Sequence, residues 1–155
     1  MAKLTCEDLE LSPLLVGLHR EELAFLTQLA AVRTYRAGEA VVVEGTPGDT
    51  MFLLCEGEVA VEKTAASGES VELAVLSQPG DFFGEMVFVD VMPRSATVRA
   101  RGPSVLLAFH LDALQKFFEA YREARLVITL NIARMLSKRL RKADETIAAL
   151  KSREG

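Results

Sequence analysis

The pattern of hydrophobic and polar positions divides the chain into three zones. In the first, residues 1–32, Leu23, Leu26 and Leu29 recur at the spacing of one face of a helix. Residues 5–8, Thr-Cys-Glu-Asp, have the composition of a capping box at a helix start. We therefore expect helices at the N-terminal end of the chain.

The second zone, residues 33–110, consists of short β-branched or alternating segments separated by turns that contain glycine. Many short strands with such turns are typical of a β-sandwich or a β-barrel. The segments expected to form strands are residues 41–43, 51–54, 58–63, 70–76, 94–99 and 104–110.

The third zone, residues 111–155, has no Gly or Pro before Gly155, so it is expected to be helical. Apolar residues follow one another there at alternating spacings of three and four, which is a heptad seam. One interpretation is that this stripe packs back onto the strands of its own chain. The interpretation we favour is a homodimer, in which the stripe pairs with the same helix of a second chain. The residues of the seam are Ala133, Leu136, Leu140, Ala143, Ile147 and Leu150.

Length and composition bound the class of protein. A chain of 155 residues, half of them hydrophobic, suits one domain over residues 1–155 with a core of its own. It lacks an uninterrupted apolar run of about 18 residues, so we expect no membrane span. The N-terminus turns acidic before any apolar segment, so no secretory signal is expected. Cys6 and Cys55 are too few for a disulfide framework or a zinc site, which favours a cytoplasmic protein with reduced thiols.

The charge and the histidines exclude other classes. With 18 basic and 22 acidic residues the formal net charge is −4, which argues against nucleic acid as a partner of this chain alone. His19 and His110 have no neighbours at the spacing of a metal site or a catalytic triad, so we expect neither a metal nor an enzyme. We expect His19 to start a helix and His110 to end a strand.

The chemistry is concentrated in residues 80–98. Gly84 leads into a short apolar segment that can form one helical turn, and the free N–H groups at such a start attract anions. Arg94 follows Pro93 and is expected to begin a strand, where its guanidinium can grip a phosphate through two parallel hydrogen bonds. The carboxylate of Glu85 suits a ribose hydroxyl. Together these residues could hold one phosphate and one sugar.

This segment resembles the phosphate-binding cassette of the cyclic nucleotide-binding domain family. The resemblance rests on Phe83-Gly84-Glu85, on the step of nine residues from Glu85 to Arg94, and on residues 93–98, Pro-Arg-Ser-Ala-Thr-Val. It extends over about residues 11–150, through turn motifs in the same order. It implies an eight-stranded jelly-roll β-barrel (residues 33–110) with N-terminal helices (residues 1–32) and a C-terminal hinge and long helix (residues 111–155).

The resemblance also implies a ligand, cAMP or cGMP, and a role for each cassette residue. Arg94 pairs with the cyclic phosphate and Glu85 accepts a hydrogen bond from the ribose 2′-OH. Ser95 donates its hydroxyl to the phosphate, or to a guanine amino group. Backbone N–H groups complete the cradle, and they belong to Gly84, Glu85, Met86 and Val87.

The expected function is therefore a cytoplasmic cyclic-nucleotide sensor that signals through its C-terminal helix and has no catalytic activity. One alternative is the sensory part of a catabolite-activator-like transcription regulator, because a chain ending at Gly155 has no helix-turn-helix domain after the long helix. Another is a degenerate dimerisation module that binds no nucleotide. In the regulators a Thr-Ser pair on the long helix meets the base, and the matching positions here are Ala143 and Asp144.

Two further alternatives concern charged residues. Glu85 and Arg94 could form a structural ion pair with each other at the rim of the strands. A basic run on the last helix is most simply a solvated face, but one of its cations could also reach the ligand phosphate or a partner chain. The run comprises Arg134, Lys138, Arg139, Arg141 and Lys142.

Overall fold

The computed structural model describes residues 9–89 and 92–155. The capping box expected at residues 5–8, which includes Cys6, lies outside the described residues. In chain order the elements are α1 (Arg20–Leu29), β1 (Ala31–Tyr35), β2 (Ala40–Val42), β3 (Thr50–Glu56), β4 (Val59–Thr64), β5 (Ser70–Leu76), β6 (Phe82–Phe83), a 3₁₀ helix (Glu85–Phe88), β7 (Thr97–Ala100), β8 (Ser104–His110), α2 (Leu111–Ala120) and α3 (Arg122–Arg153).

The eight strands form two antiparallel sheets, ordered β1-β8-β3-β6 and β2-β7-β4-β5. The expectation of a mainly β fold with eight strands is confirmed, but the closed barrel is wrong. Over residues 9–89 and 92–155 no ladder joins the two sheets. Each sheet keeps two edge strands, and β6 is only two residues long, so the fold is a jelly-roll sandwich.

Strand β3 is the centre of the packing because both of its faces are buried. Met51 and Leu53 face the core beneath the helices, together with Phe109 and Phe117. The alternate residues of β3 face the core between the two sheets. Each fully buried side chain of this size contributes about 1.5–3 kcal/mol. The inter-sheet core consists of Phe52, Leu54, Val59, Phe83, Val98, Ala100, Leu106 and Ala108.

Both histidines lie at element boundaries, as expected. His19 is the N-cap of α1, and its backbone N–H donates to Glu22 Oε1 at 2.8 Å. His110 ends β8 and caps α2, where its Nδ1 accepts from the N–H of Asp112 at 3.1 Å. The cap ties the last strand directly to the first of the two C-terminal helices.

Helix α3 has 32 residues and only its first part packs on the body of the protein. Ala124, Ile128 and Ile132 are buried, and the Asn131 side-chain amide donates to the carbonyls of Leu14 and Val16 at 2.8 Å each. Beyond Met135 every side chain of this helix is exposed. The second half of α3 therefore projects from the body, with the Arg139 side chain reaching back to the 3₁₀ helix. Among the described helices, none combines the length and the hydropathy that crossing a membrane requires.

Candidate functional site

Gly84 turns the chain from β6 into the 3₁₀ helix. Its φ is +79°, in the left-handed region that favours glycine. A Cβ at this position would lie 2.7 Å from Arg94 Nη1 and 2.8 Å from the carbonyl oxygen of Thr50. Glycine is thus required twice, by the backbone angle and by the close approach of the guanidinium. The predicted helical turn is present, as a 3₁₀ helix.

Arg94 lies in an irregular segment before β7, so the prediction that it begins a strand is wrong. Its backbone is held on both sides: its N–H donates to Thr46 O at 2.9 Å, and its carbonyl accepts from Gly45 N at 2.8 Å. The half-buried side chain donates from Nη2 to Thr50 O at 2.6 Å. Burial lowers the pKa of Arg94 and the charge of Asp49 opposes that effect, but a guanidinium in a protein stays cationic.

The loop before β3 also packs closely against the Arg94 side chain. A Cβ on Gly48 would collide with the Arg94 guanidinium. Next in the chain, Asp49 Oδ2 lies 2.8 Å from His110 Nε2, and its carbonyl accepts from the N–H of Leu111 at 2.8 Å. Hydrogen bonds from the Thr50 hydroxyl and then from His110 lower the pKa of the Asp49 carboxyl. The loop around Arg94 is therefore joined to the start of α2.

Glu85 is buried and forms an ion pair with the long helix. Arg139 Nη1 lies 2.7 Å from Glu85 Oε1, and 8% of the Glu85 side chain is exposed against 53% of the Arg139 side chain. The alternative in which Glu85 pairs with Arg94 is therefore not what the structure has. Arg139 belongs to the basic run, and its neighbours in the run are exposed. The helical pattern alone did not single it out, because the contact joins residues 54 positions apart.

The other predicted site residues occupy different surroundings. Met86 is exposed, whereas Val87 is half-buried and packs against the core beneath the helices. Ser95 is exposed, and its carbonyl oxygen accepts from Lys63 Nζ at 2.9 Å. The structure thus brings the Arg94 guanidinium close to Gly84, and Glu85 follows Gly84 in the chain.

The aromatic residues of the region pack against other aromatic rings. Phe83 stacks on Phe52 with ring centroids 5.1 Å apart, in the inter-sheet core. Phe88 of the 3₁₀ helix meets Phe118 of α2 edge to face at 5.5 Å. Beside this pair lies a groove of about 940 Å³, which Val87 lines and Arg94 does not. In the part of the chain that the structure describes, no group of three or more His, Cys, Asp or Glu side chains could hold a metal ion.

Comparison with known proteins places this geometry in one family. The family model described as "Cyclic nucleotide-binding domain" matches residues 32–121. The chain is 34% identical to Glutaminase 2 of Bradyrhizobium diazoefficiens, over 88% of this chain and 21% of that protein. It is also 34% identical to the Cyclic AMP receptor protein of Thermus thermophilus, over 86% of this chain and 59% of that protein. The chain thus spans less than two thirds of the length of these relatives.

The fold also matches that of a solved structure. The crystal structure of a cyclic nucleotide-binding domain from Methylobacillus flagellatus superimposes with a TM-score of 0.80 at 25% identity. The superposition covers 92% of this chain and 82% of that one. The family match includes the strands, the 3₁₀ helix and Arg94. The chain therefore belongs to the cyclic nucleotide-binding domain family.

Proposed function

We propose that this chain is a regulatory sensor that binds a cyclic mononucleotide, cAMP or cGMP, at the segment of residues 84–95. The observation that carries the proposal is the close approach of the Arg94 guanidinium to Gly84, which leaves no room for a Cβ there, with the Glu85 carboxylate adjacent to Gly84 in the chain. Arg94 would pair with the cyclic phosphate and Glu85 would accept from the ribose 2′-OH. Ser95 and the backbone N–H groups of residues 84–87 would supply further donors.

The ion pair between Glu85 and Arg139 supports a route for the signal. A ribose hydroxyl that donates to Glu85 competes with Arg139 for the same carboxylate, so ligand binding changes the interaction that holds α3 to the 3₁₀ helix. A ligand shifts such an equilibrium only by its differential affinity for the two arrangements. We propose that α3 reports occupancy by changing its orientation.

The projecting half of α3 supports a homodimer. Leu136, Leu140, Ile147 and Leu150 are 38–64% exposed and lie on one heptad seam. Contiguous apolar surface that is exposed on a folded chain marks interaction sites. Pairing with the same stripe of a second chain would bury it.

A titration with nucleotides tests the binding site. We expect cAMP or cGMP at 100 times its dissociation constant to stabilise the protein by about 2.7 kcal/mol in thermal unfolding. Calorimetry should detect no binding by Arg94→Gln, whereas Arg33→Gln, a change at an exposed position of β1, should bind like the wild-type protein. If the wild-type protein binds neither nucleotide, the degenerate dimerisation module is the better description. If Arg94→Gln keeps full affinity, the site is wrongly assigned.

A second candidate, the sensory part of a longer transcription regulator, has one observation in its favour. The chain covers 59% of the Cyclic AMP receptor protein of Thermus thermophilus. In either case we propose a cytoplasmic, regulatory role without catalysis or metal. The test is the coding frame beyond Gly155: a helix-turn-helix encoded there would decide for the regulator. Residues 1–155 alone should show no salt-dependent affinity for duplex DNA.

A further inference from the structure

Lys63 lies at the end of β4 on the face that points between the two sheets. Strand side chains alternate, so Lys63 shares a face with Val59 and Val61. Val59 is fully buried in the inter-sheet core and Val61 packs against it. Between β4 and β5 the register shifts at Val61 and Glu62, but the residue skipped is Leu73 of β5. Strand β4 has no extra residue there, and its pairing with β7 is regular from Val59 to Glu62, so its alternation continues to Lys63. A cation thus follows two core residues on the inward face.

The ammonium group of Lys63 reaches the segment that carries Arg94. Lys63 Nζ donates to the carbonyl oxygen of Ser95, the residue after Arg94, at 2.9 Å. An ammonium has three donors, and this hydrogen bond uses one of them. About half of the side chain is exposed, so the remaining donors are accessible to a ligand.

A carboxylate, that of Glu44, lies beside the ammonium group of Lys63. Glu44 Oε1 lies 3.8 Å from Lys63 Nζ, and Glu44 Oε2 accepts from the N–H of Thr64 at 3.0 Å. That backbone hydrogen bond is the main reason that the pKa of Glu44 is lowered, so the carboxylate is ionised at neutral pH. Glu44 is also joined to the Arg94 segment, because Gly45, its neighbour in the chain, donates to Arg94 O.

We propose that Lys63 is a second cation of the nucleotide site and contacts the cyclic phosphate that Arg94 holds. This inference rests on the proposed function and deepens it, because it assigns a ligand contact to a residue outside residues 84–95. The inward face of β4, the hydrogen bond to Ser95 O and the fixed Glu44 carboxylate all bring the ammonium to the same segment. Glu44 is a positioning residue in this arrangement.

The test compares Lys63→Met with the wild-type protein and with Lys116→Met, a lysine change on the exposed surface of α2. Dissociation constants for cAMP and cGMP are measured by calorimetry at low and at physiological ionic strength. We expect Lys63→Met to lower the affinity for both nucleotides by about tenfold at low salt. The affinity of this variant should also depend less on salt, because one attraction that salt screens is lost. Lys116→Met should change neither quantity.

Each of the other outcomes contradicts a specific part of the proposal. If Lys63→Met lowers the melting temperature but binds both nucleotides like the wild-type protein, Lys63 only anchors Glu44 and the inference is wrong. If the variant loses affinity for cAMP and for cGMP by different factors, the ammonium contacts the base and the proposed phosphate contact is wrong. If the wild-type protein binds neither nucleotide, the proposed function itself fails, and that result is visible before any variant is measured.

Discussion

Arg139 of the long helix donates to Glu85 of the 3₁₀ helix across 2.7 Å. The carboxylate is buried and the guanidinium is half exposed. The pair joins the residue proposed to accept from the ribose to the helix proposed to report occupancy. Removal of either partner therefore bears on both stability and signalling.

Arg139→Gln should lower the free energy of unfolding by about 1–3 kcal/mol, because it leaves a buried carboxylate without its charged partner. Urea denaturation at neutral pH measures this change. Arg141→Gln, two residues further along the exposed part of α3, is the control and should stay within about 0.5 kcal/mol of the wild-type protein. A loss of equal size in both variants would show that the ion pair adds nothing beyond general helix stability.

Gly84→Ala should reduce nucleotide affinity at least tenfold, because its Cβ would lie 2.7 Å from Arg94 Nη1. Gly68→Ala is a matched control, because its φ is also positive, at +87°, but a Cβ there meets no atom within 4 Å. Both variants carry the cost of a left-handed alanine, about 1–2 kcal/mol. Calorimetry with cAMP and cGMP should separate them; equal affinities would contradict the role of Gly84 in the site.

The Asp49 carboxylate should stabilise the folded protein at neutral pH, and this stabilisation should be lost in acid. Its pKa is lowered in the folded state below the ordinary value of 3.8, first by the Thr50 hydroxyl and then by His110. A lowered pKa stabilises the folded state above the ordinary value, and that stabilisation is lost as the pH falls through the folded pKa. Asp49→Asn should therefore be less stable than the wild-type protein at pH 7, and the difference should shrink below about pH 4.

Denaturant unfolding at several pH values tests whether the stability difference shrinks as the pH falls. Asp144→Asn, an exposed position on α3, serves as the control and should show no such convergence. If the difference in free energy of unfolding between Asp49→Asn and the wild-type protein stays constant down to pH 3, the charge of the carboxylate does not contribute to stability.

Ile147→Asp should convert the proposed dimer to monomer in sedimentation velocity, because it places a charge in the apolar seam of α3. Ala149→Asp adds the same charge to the same exposed helix outside the seam, and it should leave the dimer intact. A wild-type protein that sediments as a monomer at all concentrations would refute the homodimer.

Local signals were sufficient for most of the elements. Six segments with alternating or β-branched residues are strands in the structure, and the heptad region is one helix. The strands that the pattern did not predict are β1 and β6. Strand β6 has two residues, too few for alternation to appear, and β1 reads Ala-Val-Arg-Thr-Tyr with a charged residue at its centre. The segment of residues 94–96 was predicted as strand but is held irregular by hydrogen bonds to residues 45 and 46.

The sequence by itself determined the motif proposed to bind the phosphate, because Gly84, Glu85 and Arg94 stand at a spacing that can be read along the chain. It also determined the long helix, because the absence of Gly and Pro and the heptad seam are local properties. Only the tertiary structure decided which partner each charge has. Glu85 pairs with Arg139, 54 positions away, and Lys63 reaches Ser95, 32 positions away, because sheet pairing and helix packing bring distant segments together. Such contacts depend on the global path of the chain, and local periodicity carries no information about that path.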